Sequence, residues 1–227
     1  MKRFTIAVGV ESTTAIAYPT TNARASMILA HGAGTAQTHP FMVAFGRGLA
    51  ERGIEAVTFN FLYAEQGRRP PDPASKLEAC YRSVVDTMRE HSQGRPLFIG
   101  GKSMGGRMAT HIAASPDPDS DDGEPAADVA GVIALGYPLH PPGRPEKMRD
   151  AHLPHIAAPT LVVQGARDPF GTEAELRPVL ARMPAAALHV VEGGDHSFNV
   201  RGKQAPSKRE TYDAVIDVMV EWIERQA

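Results

Sequence analysis

The sequence holds a single cysteine, Cys80, among 227 residues. Disulfide frameworks need cysteine pairs, and Cys-rich zinc or iron–sulfur centres need several thiolates, so both are excluded. Cys80 falls at an apolar helical position and reads as a small buried hydrophobe. Long apolar runs are also missing: none approaches the roughly 18 residues of a membrane-spanning helix. Neither charge dominates, with 24 Lys and Arg against 26 Asp and Glu and a formal net charge of −2. Without a strong basic field, neither nucleic acid nor an anionic membrane surface is expected as a partner. There is no H-E-x-x-H, no P-loop and no G-x-G-x-x-G after a strand, so no metal, nucleotide or other cofactor is expected. His152 and His155 lie in a proline-flanked loop without carboxylates nearby in sequence. The acidic stretch 117–124 lacks a calcium-loop pattern and reads as solvated.

What is present is ordinary globular material. Apolar residues make up 42% of the chain, enough for a substantial core, and 21 glycines with 19 prolines are too few for a low-complexity chain. Met1-Lys2-Arg3 has the charge of a leader peptide, but the apolar stretch 4–10 is short. There Phe4, Ile6, Val8 and Val10 alternate with Thr5, Ala7 and Gly9, which is a strand pattern. A cytoplasmic protein is expected, with a leader peptide as the alternative.

Strands then alternate with helices, the signature of a mostly parallel sheet covered on both faces. Residues 3–10 and 14–18 form an opening antiparallel pair. Residues 26–30, 55–60, 96–100, 129–135, 160–164 and 188–191 are further strands. Phe41, Met42, Phe45 and Leu49 recur at helical spacing, and Gly53 stops that helix. Leu77, Cys80, Tyr81, Val84, Val85 and Met88 mark a long amphipathic helix. A helix starts near Ser103, another covers 173–182, and Tyr212 to Ile223 carry a closing one. Residues 61–75, 115–127 and 139–159 are loops rich in turn residues. No linker is long enough to divide the chain, so one domain over 1–227 is expected.

The sharpest motif is Gly101-Lys102-Ser103-Met104-Gly105-Gly106, a G-x-S-x-G between an apolar strand and a helical stretch. A tight strand-to-helix turn lifts the serine Oγ above the sheet, and neighbours without a Cβ let strand and helix approach. The serine then stands at a helix N-terminus, where backbone N–H groups favour negative charge.

On this motif and its setting the chain resembles the α/β-hydrolase superfamily over nearly its whole length. The resemblance implies an α/β-hydrolase fold and a catalytic order of Ser, then Asp or Glu, then His. The acid follows a late strand, which points to Asp168 in Gly165-Ala166-Arg167-Asp168. The histidine follows the last strand, which points to His196 in Gly193-Gly194-Asp195-His196. Asp195 competes as the acid, but adjacent residues on a tight loop rarely turn their side chains toward one another. A serine hydroxyl is a weak nucleophile until a base takes its proton, and an imidazole titrates near neutral pH. The carboxylate would hold the imidazole tautomer. The resemblance also implies an oxyanion hole built from the N–H of Met104 and one from His31-Gly32-Ala33-Gly34, with Ala33 as the donor and Gly34 as the alternative. His31 is expected to shape that loop.

Within the superfamily, Gly101 to Arg107, Phe59-Asn60-Phe61 with Gly67-Arg68-Arg69-Pro70-Pro71, and Gly136-Tyr137-Pro138-Leu139-His140-Pro141-Pro142-Gly143 are similar to one branch. It is the dienelactone-hydrolase-like branch that includes the hydrolase-like domain of a histone-acetyltransferase (NSL) complex subunit. Typical dienelactone hydrolases carry a cysteine nucleophile; this chain carries Ser103.

Open α/β sheets place their sites at the C-terminal ends of strands. Arg68 and Arg69 leave such an end and are candidates for binding a substrate carboxylate or phosphate, or are solvated loop arginines. His140 leaves another, either lining the pocket or capping a turn between prolines. Residues 139–159 are too few for a lid of several helices, so a shallow, open site is expected. The expectation is a serine hydrolase that cleaves an ester or thioester of a small or polymer-attached acyl group. The alternative is a hydrolase fold retained as a binding scaffold.

Overall fold

The computed structural model describes residues 1–116 and 124–227. Eight strands form one sheet: β1 (Lys2–Val8), β2 (Glu11–Tyr18), β3 (Ala25–Ala30), β4 (Ile54–Phe59), β5 (Leu97–Lys102), β6 (Gly131–Leu135), β7 (Thr160–Gly165) and β8 (Ala186–Val191). Their order is β1-β2-β4-β3-β5-β6-β7-β8. β1 and β2 pair antiparallel, as do β2 and β4; every other pairing is parallel. The opening pair joins through a turn at Gly9 and Val10, so Val10 is exposed and does not extend the strand.

The helices are α1 (Pro40–Glu51), α2 (Leu62–Glu65), α3 (Ala74–His91), α4 (Met104–Ala113), α5 (Glu173–Leu180) and α6 (Lys208–Gln226). α1 begins with Pro40, whose fixed φ suits the first helical position. It stops where Gly53 turns to φ +81°, its N–H bonding Ala50 O at 3.1 Å. α6 opens with a capping box: Ser207 Oγ accepts the Glu210 N–H at 3.2 Å while the Glu210 carboxylate accepts the Ser207 N–H at 2.7 Å. α2 is a turn of helix inside the segment 61–75 expected to be loop throughout. Leu62 and Tyr63 bury there, and that burial outweighs the turn-forming composition downstream.

All six residues of β3, β5 and β7 are buried, as expected of strands covered on both faces. Alternation divides the core. Met27, Leu29, Phe98, Ile133 and Val163 face α1 and the Tyr212–Ile223 stripe of α6. Ile28, Ile99, Val132, Ala134 and Val162 face α3, α4 and α5. Each large apolar side chain so buried contributes about 1.5–3 kcal/mol. Cys80 is wholly buried in the second cluster. Within the loop expected at 115–127, residues 117–123, and with them most of the acidic stretch, lie outside the described residues. Among the described residues no helix is long and apolar enough to cross a membrane.

Candidate active site

The C-terminal ends of β3, β5, β6, β7 and β8 converge on one rim. β5 delivers the serine. Ser103 has φ 52° and ψ −115°, a strained backbone for a residue with a Cβ, of the kind that costs on the order of 1–3 kcal/mol. Its N–H donates to Leu135 O at 2.9 Å, and its C=O accepts from Arg107 N–H at 3.0 Å, which opens α4. The surrounding glycines are there for clearance. A Cβ on Gly101 or on Gly105 would fall 2.3 Å from Ala30 O, so any side chain would push α4 and β5 off β3.

Ser103 Oγ stands 2.9 Å from His196 Nε2, and His196 Nδ1 stands 2.7 Å from Asp168 Oδ2. An ionised carboxylate only accepts, so Nδ1 carries the proton and Nε2 faces the hydroxyl as an acceptor. Asp168 is buried and held in turn: Gln164 Nε2 donates to its Oδ2 at 3.0 Å and Phe170 N–H to its Oδ1 at 2.9 Å. The Phe170 ring lies 4.3 Å from the imidazole, centroid to centroid. Asp195 is occupied elsewhere. Its carboxylate accepts the N–H groups of Ser197 and Asn199 at 2.8 and 2.9 Å, bonds that hold it below the usual carboxylate range despite partial burial.

The loop after β3 packs against the elbow; a Cβ on Gly32 would lie 3.7 Å from that of Ser103. Gly32 O anchors this loop, accepting His31 Nδ1–H at 2.8 Å and Thr35 Oγ1–H at 2.8 Å. His31 Nε2 accepts the Phe61 N–H at 3.1 Å, which fixes the tautomer because an amide can only donate. Burial drives this imidazole down to about 4, so it stays neutral. Ala33 and Met104 both line the cavity beside Ser103, and no hydrogen bond among the described residues uses the N–H of either.

The cavity holds about 690 Å³, ample for a small organic ligand. Pro71, Asp72 and Leu77, from the segment after α2 and the start of α3, line it together with Tyr212 of α6.

The suggested substrate contacts are not brought together. Arg68 turns to Asp72 at 2.6 Å and to Gln66 at 2.9 Å, and Arg69 is exposed outside the cavity. His140 is buried, its Nδ1 at 2.9 Å from Pro141 O and its Nε2 at 3.2 Å from Glu175 on α5, so it is drawn away from the cavity. The cations that do line it are Lys102, Arg107, Arg149 and Lys208. Arg107 was legible in sequence: it lies four residues after Ser103, one helical turn on, and therefore shares its face. Nothing in the sequence marks Arg149 or Lys208.

Lys102 is buried, and its Nζ has no hydrogen-bond partner among the described residues. The ammonium sits 5.8 Å from the Phe41 ring centroid, and a Cβ on Gly136 would lie 2.9 Å from Nζ and 3.3 Å from His196 Nδ1. Burial pulls its titration down to about 8, against the opposing pull of Asp168 and Asp195.

The fold recurs in solved structures. Dienelactone hydrolase from Anabaena variabilis superposes with a TM-score of 0.74 at 20% identity, over 99% of this chain and 96% of that one. The ferulic acid complex of Est1E from Butyrivibrio proteoclasticus gives 0.74 at 16%, over 97% and 99%. XC6422 from Xanthomonas campestris, an α/β serine hydrolase without a lid, gives 0.68 at 16%, over 99% and 92%. At these identities the likeness is one of fold. Residues 23–224 match the family model of the alpha/beta hydrolase domain, and the chain belongs to that family.

Proposed function

We propose that this protein is a serine hydrolase that cleaves a carboxylic ester or thioester of a small or polymer-attached acyl group through an acyl-enzyme. One observation carries this reading: the unbroken chain Ser103 Oγ, His196 Nε2, His196 Nδ1, Asp168 Oδ2, with links of 2.9 and 2.7 Å. Ser103 Oγ bonds to the carbonyl carbon as its proton passes to His196 Nε2. Asp168 accepts the Nδ1–H and stabilises the imidazolium. The carbonyl electrons move to oxygen, where the Met104 and Ala33 N–H groups receive the charge; each such donor is worth about 10²–10³ in rate. Collapse expels the alkoxide or thiolate, which takes the proton from Nε2. Water then attacks the acyl-enzyme by the same relay and frees Ser103. The absence of a multi-helix cover over 139–159 favours short acyl groups over long-chain lipids. We place the reaction in the cytoplasm.

The test is labelling with a fluorophosphonate probe and hydrolysis of 4-nitrophenyl esters of increasing chain length. Wild-type protein labels and Ser103→Ala does not, with turnover peaking on short acyl chains. Equally weak labelling of both proteins would leave only a binding scaffold. A preference for chains beyond about ten carbons contradicts the open site.

A further inference from the structure

The cavity contains a charge arrangement that hydrolysis of a neutral ester does not need. Arg107 and Arg149 both line it, and both are half-buried. Neither has a carboxylate within ion-pair distance among the described residues. Every other described arginine is either exposed or paired with an acid. Asp150 pairs with Arg182, and Asp72 pairs through Oδ1 with Arg68, while its Oδ2 is buried with no hydrogen-bond partner among the described residues. Arg107 Nε is buried with no hydrogen-bond partner among the described residues. Among the described residues Arg149 has one acceptor, Pro138 O at 3.3 Å from Nη1, and its own carbonyl receives the Tyr137 hydroxyl at 2.5 Å. Burial, and after it the positive charge of Arg107, holds Arg149 below the usual arginine range. Two partly desolvated guanidinium groups that line one cavity and repel one another are stabilised when an anion binds to both.

We infer that Arg107 and Arg149 form an oxyanion subsite and that the substrate is an ester or thioester whose acyl group ends in an anionic group, a carboxylate or a phosphoryl. This rests on the serine hydrolase reading and narrows it. Planar guanidinium forks match the oxygens of either group bidentately. Arg107 begins one helical turn from Ser103, with Cβ atoms in such a pair about 5–6 Å apart, so the anion lies only a few bonds from the scissile carbonyl. A dicarboxylic acid monoester of four to six carbons spans that gap; a long neutral chain would put methylenes against unpaired charge.

The experiment compares kcat/KM for 4-nitrophenyl hydrogen adipate with that for 4-nitrophenyl hexanoate, each corrected for spontaneous hydrolysis. Wild-type protein favours the anionic ester by tenfold or more. The ratio falls toward one in Arg107→Gln and in Arg149→Gln, and Arg149→Lys, which keeps charge but loses the fork, falls between. Because the ratio is internal to each variant, general damage to the fold does not move it. A ratio that is near one in wild type, or that survives both substitutions, overturns the subsite while leaving Ser103-dependent turnover of the hexanoate intact. A second arm needs no turnover: adipate and inorganic phosphate are titrated calorimetrically into the Ser103→Ala protein with and without the arginine substitutions. Tighter binding of adipate assigns the site to carboxylates, and tighter binding of phosphate assigns it to phosphoryl groups. Binding of neither, or binding unaffected by loss of the arginines, overturns the proposal even if the hydrolase reading itself has failed by fluorophosphonate labelling.

Discussion

Gln164 and Asp168 stand on the same strand end, and the Gln164 amide donates to Asp168 Oδ2 at 3.0 Å, the oxygen that also receives His196 Nδ1–H. The same amide nitrogen reaches Gly171 O at 2.8 Å, and its carbonyl accepts the Tyr137 N–H at 2.8 Å. One buried side chain thus ties the acid to the β6 and β7 loops. Gln164→Leu keeps the bulk and removes all of these bonds. It leaves buried polar groups unpaired, at about 1–3 kcal/mol each, and lets Asp168 rotate. The expected result is a lower melting temperature with a fall in kcat for ester hydrolysis larger than any change in KM. Unchanged kcat would show that Asp168 is oriented without Gln164.

The orphaned ammonium of Lys102 makes stability depend on pH at the alkaline end. Its folded value is about 8, below the roughly 10.4 of an unfolded lysine. Between those values the unfolded chain holds a proton that the folded chain has released, so stability rises with pH across that window. Lys102→Met removes the penalty and its slope together. The variant is expected to be more stable at pH 7 by up to about 3 kcal/mol and to lose stability more steeply than wild type between pH 8 and 10, where the buried Cys80 thiol, pushed up to about 12, acts against the Lys102 contribution in wild type and unopposed in the variant. A variant less stable than wild type at pH 7 would mean that the ammonium makes a net favourable contribution where it lies.

His31 sets the acid limit. With a folded value of about 4 against about 6.5 unfolded, it takes up a proton on unfolding throughout that interval. Stability is therefore fully present above pH 6.5 and lost as pH falls toward 4, by about 3 kcal/mol in all. His152, lowered by burial to about 3, acts in the same direction. His31→Gln retains an acceptor for the Phe61 N–H and cannot titrate. Denaturant midpoints at pH 7.5 and 4.5 should differ less for the variant than for wild type, with the His152 contribution common to both. Equal losses would assign acid lability elsewhere.

The elbow tolerates no added carbon. Gly105→Ala places a Cβ 2.3 Å from Ala30 O and 2.7 Å from His31 O, and both are backbone atoms that cannot swing aside. Overpacking of this kind costs about 1–3 kcal/mol and pushes α4 away from the loop that carries Ala33. Ester turnover should drop by far more than the loss of stability explains, because the two N–H donors separate. A soluble variant with wild-type turnover would show that the β3 loop follows α4 when it shifts.

Much of this was readable in one dimension. The glycines at 101, 105 and 106 point to a crowded strand-to-helix turn, and the uniformly apolar 129–135 to a strand covered on both sides. The order Ser103, Asp168, His196 came from the resemblance to the α/β-hydrolase superfamily, carried onto the residues that follow the matching strands. Arg68, Arg69 and His140 show the limit. Strand-end position told which residues leave the right edge of the sheet and could not tell where their side chains turn. Asp72 decided that for Arg68 and Glu175 for His140, through an ion pair and a hydrogen bond between residues up to 35 positions apart.

The sequence by itself determined the layered architecture and the chemical types at the rim, because hydrophobic period and glycine clearance are local properties carried by neighbouring residues. Only the tertiary structure decided that Asp195 is held by the N–H groups of Ser197 and Asn199 in its own loop, that Lys102 is buried with no hydrogen-bond partner among the described residues, and that Arg107 and Arg149 line one cavity. Those outcomes depend on distances between segments that the sheet brings together, and Coulomb attraction and hydrogen bonding act on such distances, with no regard to separation along the chain.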